Sequence, residues 1–260
     1  MKKIAYFISA VIITFGTLSC SNTTLNTGRL MNAAGGALTA LTLSDAQVAQ
    51  LSHEAVAQMD AKSPVAPANN PYTQRLNRLT SGLHNLDGLP LNFKVYLVED
   101  INAFATGDGS IRVFKGLMDI MEDNELIAII GHELGHVVNE DTKHAMRNAY
   151  LAYAAREAIG STDSTIGALT DSQLGDIAVA YTEAQYSQKQ EYTADDFGFE
   201  FSTAAGYSPY SMSDSLQKLV KASGGAKSSL LQNMFSSHPD SAARAERMKE
   251  RADEYAKTHK

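Results

Sequence analysis

Gly131-His132-Glu133-Leu134-Gly135-His136 lies within an apolar run, with Leu126, Ile127, Ile129 and Ile130 before it and Val137 and Val138 after it. A run of this kind with no proline predicts a buried helix, here over residues 124–139. Residues four apart on a helix stand one above the other on the same face. The imidazoles of His132 and His136 therefore converge, at a spacing that suits one tetrahedral cation with Zn–N bonds of about 2.0–2.1 Å. Glu133 is turned by about 100° from His132, so it can reach a water on the cation without binding the cation itself. A buried Glu between two histidines is costly unless a cation compensates it. Gly131 and Gly135 each cost about 1 kcal/mol against Ala in a helix, which makes sense if a second backbone passes close to the metal-binding turn.

Two imidazoles do not close a site, so a third protein ligand is required. The extended pattern that supplies a third histidine is absent, because Asn139 and Thr142 stand where Gly and His would be needed. Glu191, in Glu191-Tyr192-Thr193-Ala194-Asp195, is one candidate. Asp195 shares its helical face and is placed to accept a hydrogen bond from the far nitrogen of a ligand histidine, His132 being the expected one. Glu140 is the rival, although a ligand one turn along the same helix sits poorly for tetrahedral closure. With three protein ligands and one open position, zinc lowers the pKa of its water to about 7. Glu133 then takes the proton, the hydroxide attacks a scissile carbonyl, and Glu133 returns the proton to the leaving amine. The pattern thus predicts a zinc-dependent metalloendopeptidase with one Zn2+ per chain. The alternative is a zinc closed by four protein ligands in a non-proteolytic lipoprotein, a chaperone or assembly factor, which has no need of Glu133.

Around this helix the sequence predicts an α+β, helix-rich fold. Ser44-Asp45-Ala46-Gln47 reads as a capped start of a helix over 44–59. A proline-rich loop over 63–71 leads to a second helix over 72–83. Residues 93–98, 102–106 and 111–114 read as short strands of a small, antiparallel sheet, with a turn at Gly107-Asp108-Gly109. Helices are expected over 141–159, 172–205, 209–222 and 239–257, and a loop carrying the apolar patch Leu230, Leu231, Met234 and Phe235 over 223–237. The patch reads as a mobile lid over the cleft or as ordinary core. Residues 102–105 could form an edge strand that pairs with a substrate backbone. His53, His84, His144 and His259 read as surface residues.

The chain has 260 residues, 44% apolar and 20% charged, and a formal charge of −7. That composition suits one domain with a sizeable core. Met1-Lys2-Lys3, the apolar run 4–18 and Ser19-Cys20 read as a bacterial lipoprotein leader over 1–19, with Cys20 lipidated. Thr17 departs from the leucine usual three before the cysteine. Cys20 is the only cysteine, so no intrachain disulfide can form. Acyl chains there would anchor the protein without spanning the bilayer, and Ser21 in place of Asp favours the outer membrane facing the periplasm. Residues 20–40, rich in Ser, Asn, Thr, Gly and Ala, read as a tether, and 41–257 as the catalytic domain. Loss of Lys2 and Lys3 leaves 20 basic against 29 acidic residues, a charge of −9, which excludes a nucleic-acid partner.

Gly131 to Val137, then Glu191-Tyr192-Thr193-Ala194-Asp195, then Ser237-His238-Pro239 with Arg244, resemble the zinc metallopeptidase family that includes HtpX and the prenyl-protein protease. The resemblance covers about residues 41–254. It implies a mostly helical, zincin-like (gluzincin-type) domain with a small sheet, and it favours Glu191 as the third ligand with Asp195 behind His132. It brings His238 near the metal, as a self-inhibiting fourth ligand or an oxyanion donor, and lets Arg244 steady the site. It further implies unfolded or misassembled envelope proteins as substrates, with outer-membrane assembly partners. The chain departs from the membrane-spanning branch of that family, since no apolar run after the leader is long enough to span a bilayer.

Overall fold

Ser44 opens the first helix, α1 (Asp45–Lys62), through the capping box expected there: its hydroxyl accepts from the Gln47 amide at 3.3 Å, and its own amide donates to Gln47 Oε1 at 2.9 Å. The computed structural model describes residues 43–157, 169–225 and 228–259. The leader, Cys20 and the tether lie outside the described residues. Asn70 and Pro71 start α2 (Pro71–Leu79), in keeping with the preference for proline in the first helical turn. A two-stranded hairpin follows, β1 (Asn85–Leu86) and β2 (Leu89–Pro90). Its turn, Asp87-Gly88, has φ of 52° and 86°, and Asp-Gly is favoured for a turn with two positive φ angles.

The main sheet holds β3 (Asn92–Tyr96), β4 (Ala103–Ala105) and β5 (Ser110–Phe114) in the order β3-β5-β4. It is mixed, which corrects the antiparallel expectation. β4 pairs antiparallel with β5, but β5 inserts between β4 and β3 and runs parallel to β3. Strand residues alone do not reveal this insertion, because the β3–β4 connection has to cross over the place β5 will occupy.

Helices α3 (Lys115–Ile120), α4 (Asp123–Val138), α5 (Asp141–Glu157), α6 (Asp171–Thr182), α7 (Gln188–Ala204), α8 (Ser211–Ser223), α9 (Gln232–Ser237) and α10 (Ser241–Thr258) complete the described fold. The single helix expected over 172–205 is two. Ser187 caps a new start with a capping box to Gln190 and interrupts the pattern at 183–187. The apolar patch expected in a loop lies in a 3-10 turn (Ser228–Leu231) and α9. Leu231 and Met234 are buried in the core, and Leu230 and Phe235 pack against it.

The sheet separates two apolar clusters. Ala103 and Ala105 face one, shared with α4, α8 and α10, and Phe104 faces the other, shared with α1, α5 and α6. This is the alternation of a strand buried on both faces. Every residue of α4 from Glu125 to Val137 is buried. α4 crosses α7 at backbone distance. A Cβ on Gly131 would stand 3.0 Å from Gly198 Cα, one on Gly135 would stand 2.9 Å from Ala194 Cα, and one on Gly198 would stand 2.8 Å from the Ala128 carbonyl oxygen. The second backbone anticipated at the two helix glycines is therefore α7. No helix among the described residues is long and apolar enough to cross a membrane.

Arg112 on β5, 2% exposed, forks onto Asp60 of α1 at 2.8 and 3.0 Å, and Lys94 and Tyr96 also donate to that carboxylate. Burial opposes ionisation of Asp60, but these donors outweigh it and hold its carboxyl below the usual range. A depressed folded pKa stabilises the fold above the unfolded value, about 3.9, and that contribution is lost as pH falls. Asp60→Ala strands a buried guanidinium and is expected to cost about 3–5 kcal/mol in urea unfolding at pH 7, with the gap to wild type narrowing below pH 4.

Candidate active site

α4 and α7 carry the two halves of the site. His132 Nε2 and His136 Nε2 lie 3.1 Å apart, and the Glu191 carboxylate reaches them at 3.7 and 3.3 Å. His238, just after α9, brings Nδ1 to 3.3 Å from His132 Nε2 and 3.0 Å from Glu191 Oε1. One donor atom from each of these four buried residues lies within 4.8 Å of the others. The histidine and carboxylate predicted as ligands therefore meet, with His238 as the fourth. Glu133 is buried beside them, its Oε1 3.9 Å from His238 Nε2.

The outer nitrogens decide what such a cluster can hold. Asp195 stands 2.9 Å from His132 Nδ1, and Asp141 stands 2.9 Å from His136 Nδ1. Carboxylates only accept, so both Nδ1 atoms carry the proton and both Nε2 lone pairs face inward. Two lone pairs 3.1 Å apart repel unless a proton or a metal cation lies between them. Tetrahedral bonds of 2.0–2.1 Å place ligand atoms roughly 3.3–3.4 Å apart, close to the distances found. Glu191 Oε2 is buried without a hydrogen bond, held by the charge of Arg244. The donor set fits a metal cation.

Charge in the surroundings is arranged to match. Arg244 on α10, 2% exposed, forks onto Asp195 at 2.8 and 2.7 Å. Burial alone would raise the carboxyl pKa values of Asp195 and Glu191. Arg244 holds Asp195 below its ordinary range, and His238 with His136 holds Glu191 well below its own. Burial lowers the His132 pKa despite Asp195, whereas at His136 the bonds to Asp141 and Glu191 overcome burial and push it up to about 9, so that until a cation binds, a proton on Nε2 takes the place the cation would fill. Glu140, the rival ligand, turns outward at φ 61° and pairs with Lys143 at 2.9 Å. His53, His84, His144 and His259 are exposed.

Residues 67–252 match the profile of Peptidase family M48. The chain belongs to that family. Over 250 residues this M48 peptidase is 40% identical to Metalloprotease LoiP of Escherichia coli (strain K12), covering 96% of this chain and 97% of that protein. It is 38% identical to Metalloprotease YcaL of the same organism over 250 residues, 95% of each. A Protease HtpX homolog of Syntrophobacter fumaroxidans is 30% identical over 196 residues, 66% of this chain and 67% of that protein. The chain is a metalloprotease.

Two residues of this M48 site escaped the sequence reading. Asp141 follows α4 directly, and its other oxygen accepts from Gln190 Nε2 at 2.7 Å. Its position five after His136, just past the helix end, was a usable signal. Tyr186 stacks on the His136 ring with centroids 3.9 Å apart, and its amide donates to the Ser237 carbonyl at 3.0 Å. No spacing rule points to it, because it lies in the break between α6 and α7. Asp141→Asn keeps the shape but leaves the amide free to turn its donor toward His136. Metal affinity, measured by competition with a chelator, is expected to fall 10- to 100-fold.

Proposed function

We propose that this metalloprotease is a zinc endopeptidase of the bacterial envelope that hydrolyses unfolded or misassembled envelope proteins. The observation that carries the reading is the inward convergence of two Nε2 lone pairs and a carboxylate, with Glu133 beside them and outside the ligand set. His132, His136 and Glu191 would hold the cation, and a nitrogen-rich donor set with one carboxylate suits zinc. Zinc, when bound, acts as a Lewis acid on the scissile carbonyl and lowers the pKa of a coordinated water. Glu133 accepts the proton and delivers it to the leaving amine. Asp195 and Asp141 fix the tautomer and orientation of the two imidazoles, and Arg244 keeps Asp195 and Glu191 ionised. The outer edge of β4 takes the substrate backbone as an added strand, which gives cleavage tolerant of sequence.

The envelope location rests on the leader reading: residues 1–19 removed, Cys20 lipidated, residues 20–40 as tether, and an outer-membrane anchor facing the periplasm. LoiP and YcaL are named metalloproteases and match over nearly their whole length, which supports proteolysis over the chaperone alternative.

A second feature favours latency. The cavity among His132, Glu133, His238 and Arg244 is only about 10 Å³, barely the space of one water. His238 lines this cavity beside His132 and Glu133, so we infer that His238 withdraws during turnover.

In Glu133→Gln, bound metal per chain is expected to stay at the wild-type level while cleavage of unfolded casein drops by 100-fold or more, about the scale of lost acid–base catalysis. Retained cleavage contradicts the proposed role of Glu133. In His238→Ala, casein cleavage is expected to rise, whereas a fall would make His238 an oxyanion donor instead.

A further inference from the structure

The edge of β4 is masked by side chains. Phe114 N–H donates to the Asn102 carbonyl at 3.0 Å, Thr106 N–H donates to the Ser110 carbonyl at 2.9 Å, and Phe104 sits opposite Arg112. In an antiparallel ladder this commits residues 102, 104 and 106 to β5 and turns the backbone groups of Ala103 and Ala105 away from β5. Two of those four outward groups are already bonded. Ala103 N–H donates to Asn102 Oδ1 at 3.0 Å, and the Ala105 carbonyl accepts from the Tyr181 hydroxyl of α6.

Tyr181 is buried, and its hydroxyl interacts with that of Tyr186, the residue stacked on His136. The mask therefore runs from the strand edge to the metal-binding histidine. An open groove of about 220 Å³ runs beside α6, lined by Ala178 and Val179 on one side and by Tyr96, Phe104 and Phe114 on the other, and Val179 is 56% exposed. The helix is held by Leu174, Ile177 and Ala178 in the cluster it shares with α1 and α5, while the groove leaves room beside its outer face.

We propose that the Tyr181 hydroxyl stands in for a substrate backbone amide: a peptide adding to β4 displaces it from the Ala105 carbonyl, and α6 moves aside as it does. This rests on the edge-strand reading given under Proposed function. An incoming peptide N–H replaces the phenol O–H at the same acceptor, so no buried carbonyl is left unpaired at the end of the exchange. Tyr181 thus sets how readily substrate binds and takes no part in bond cleavage. Folded proteins cannot offer the extended backbone that the exchange needs, whereas unfolded segments can.

The test uses full-length protein carrying Glu133→Gln, so that an extended casein peptide binds without being cut, together with a series of the same peptide N-methylated at one backbone position at a time. Tyr181→Phe is expected to tighten binding about three- to tenfold, the worth of one hydrogen bond, and one N-methyl position is expected to abolish that gain. With Glu133 restored, the change should appear in KM and not in kcat. If N-methylation weakens binding but Tyr181→Phe leaves the Kd unchanged, the Tyr181 proposal is overturned and the edge-strand reading survives. If no N-methyl position matters, the edge-strand reading fails and takes the proposal with it. A readout without the Tyr181 substitution covers the case of a misfolded variant: saturating peptide should speed hydrogen exchange across α6, and unchanged exchange there also overturns the proposal.

Discussion

Two helices touching backbone to backbone is the constraint on which the rest of this molecule depends. Gly131, Gly135 and Gly198 lie at the contact between α4 and α7, where added methyl groups would collide with main-chain atoms. This closeness lets Glu191, a carboxylate on a short stem, reach two imidazoles of a different helix. A wider crossing would leave Glu191 short of the histidines and Asp195 short of His132 Nδ1. The helix-propensity cost of the glycines is offset by the precision of that approach, and the sheet and the outer helices supply the packing that keeps α4 buried along its length.

Burial of so much charge is tolerable because each group is answered by another. Arg244 lies across Asp195 and Glu191, Asp195 and Asp141 back the two histidines, and Gln190 holds Asp141 while also helping to cap α7. One glutamine thus fixes both a helix start and the orientation of the His136 ring. The residues of the site come from α4, α5, α7, the segment after α9, and α10, so it integrates most of the helical layer.

The sequence made the site more legible than the fold around it. His132, Glu133 and His136 announce themselves because helical spacing converts directly into geometry. The apolar positions of α4 and the capping box at Ser44 are legible for the same reason, since local chemistry decides them. Glu191 required a pairing between distant segments, which residue spacing alone left open against Glu140 and family resemblance resolved. The parallel pairing of β3 with β5 was missed because register between strands is a non-local property. The break before α7 was missed although Ser187 and Gln190 form the same Ser-x-x-Gln pattern read correctly at Ser44 and Gln47; a continuous apolar periodicity on both sides concealed it. Tyr186 lay in that unread break.

The split of the candidate metal donors between α4 and α7 has a consequence for how a new chain matures. His132 and His136 alone supply two donors, and neither has its outer nitrogen anchored until Asp195 and Asp141 are in place. A chain whose α7 has not docked therefore lacks Glu191 and Asp195 beside these histidines, and would hold a cation weakly. On the function proposed above, hydrolytic competence would then follow completed folding.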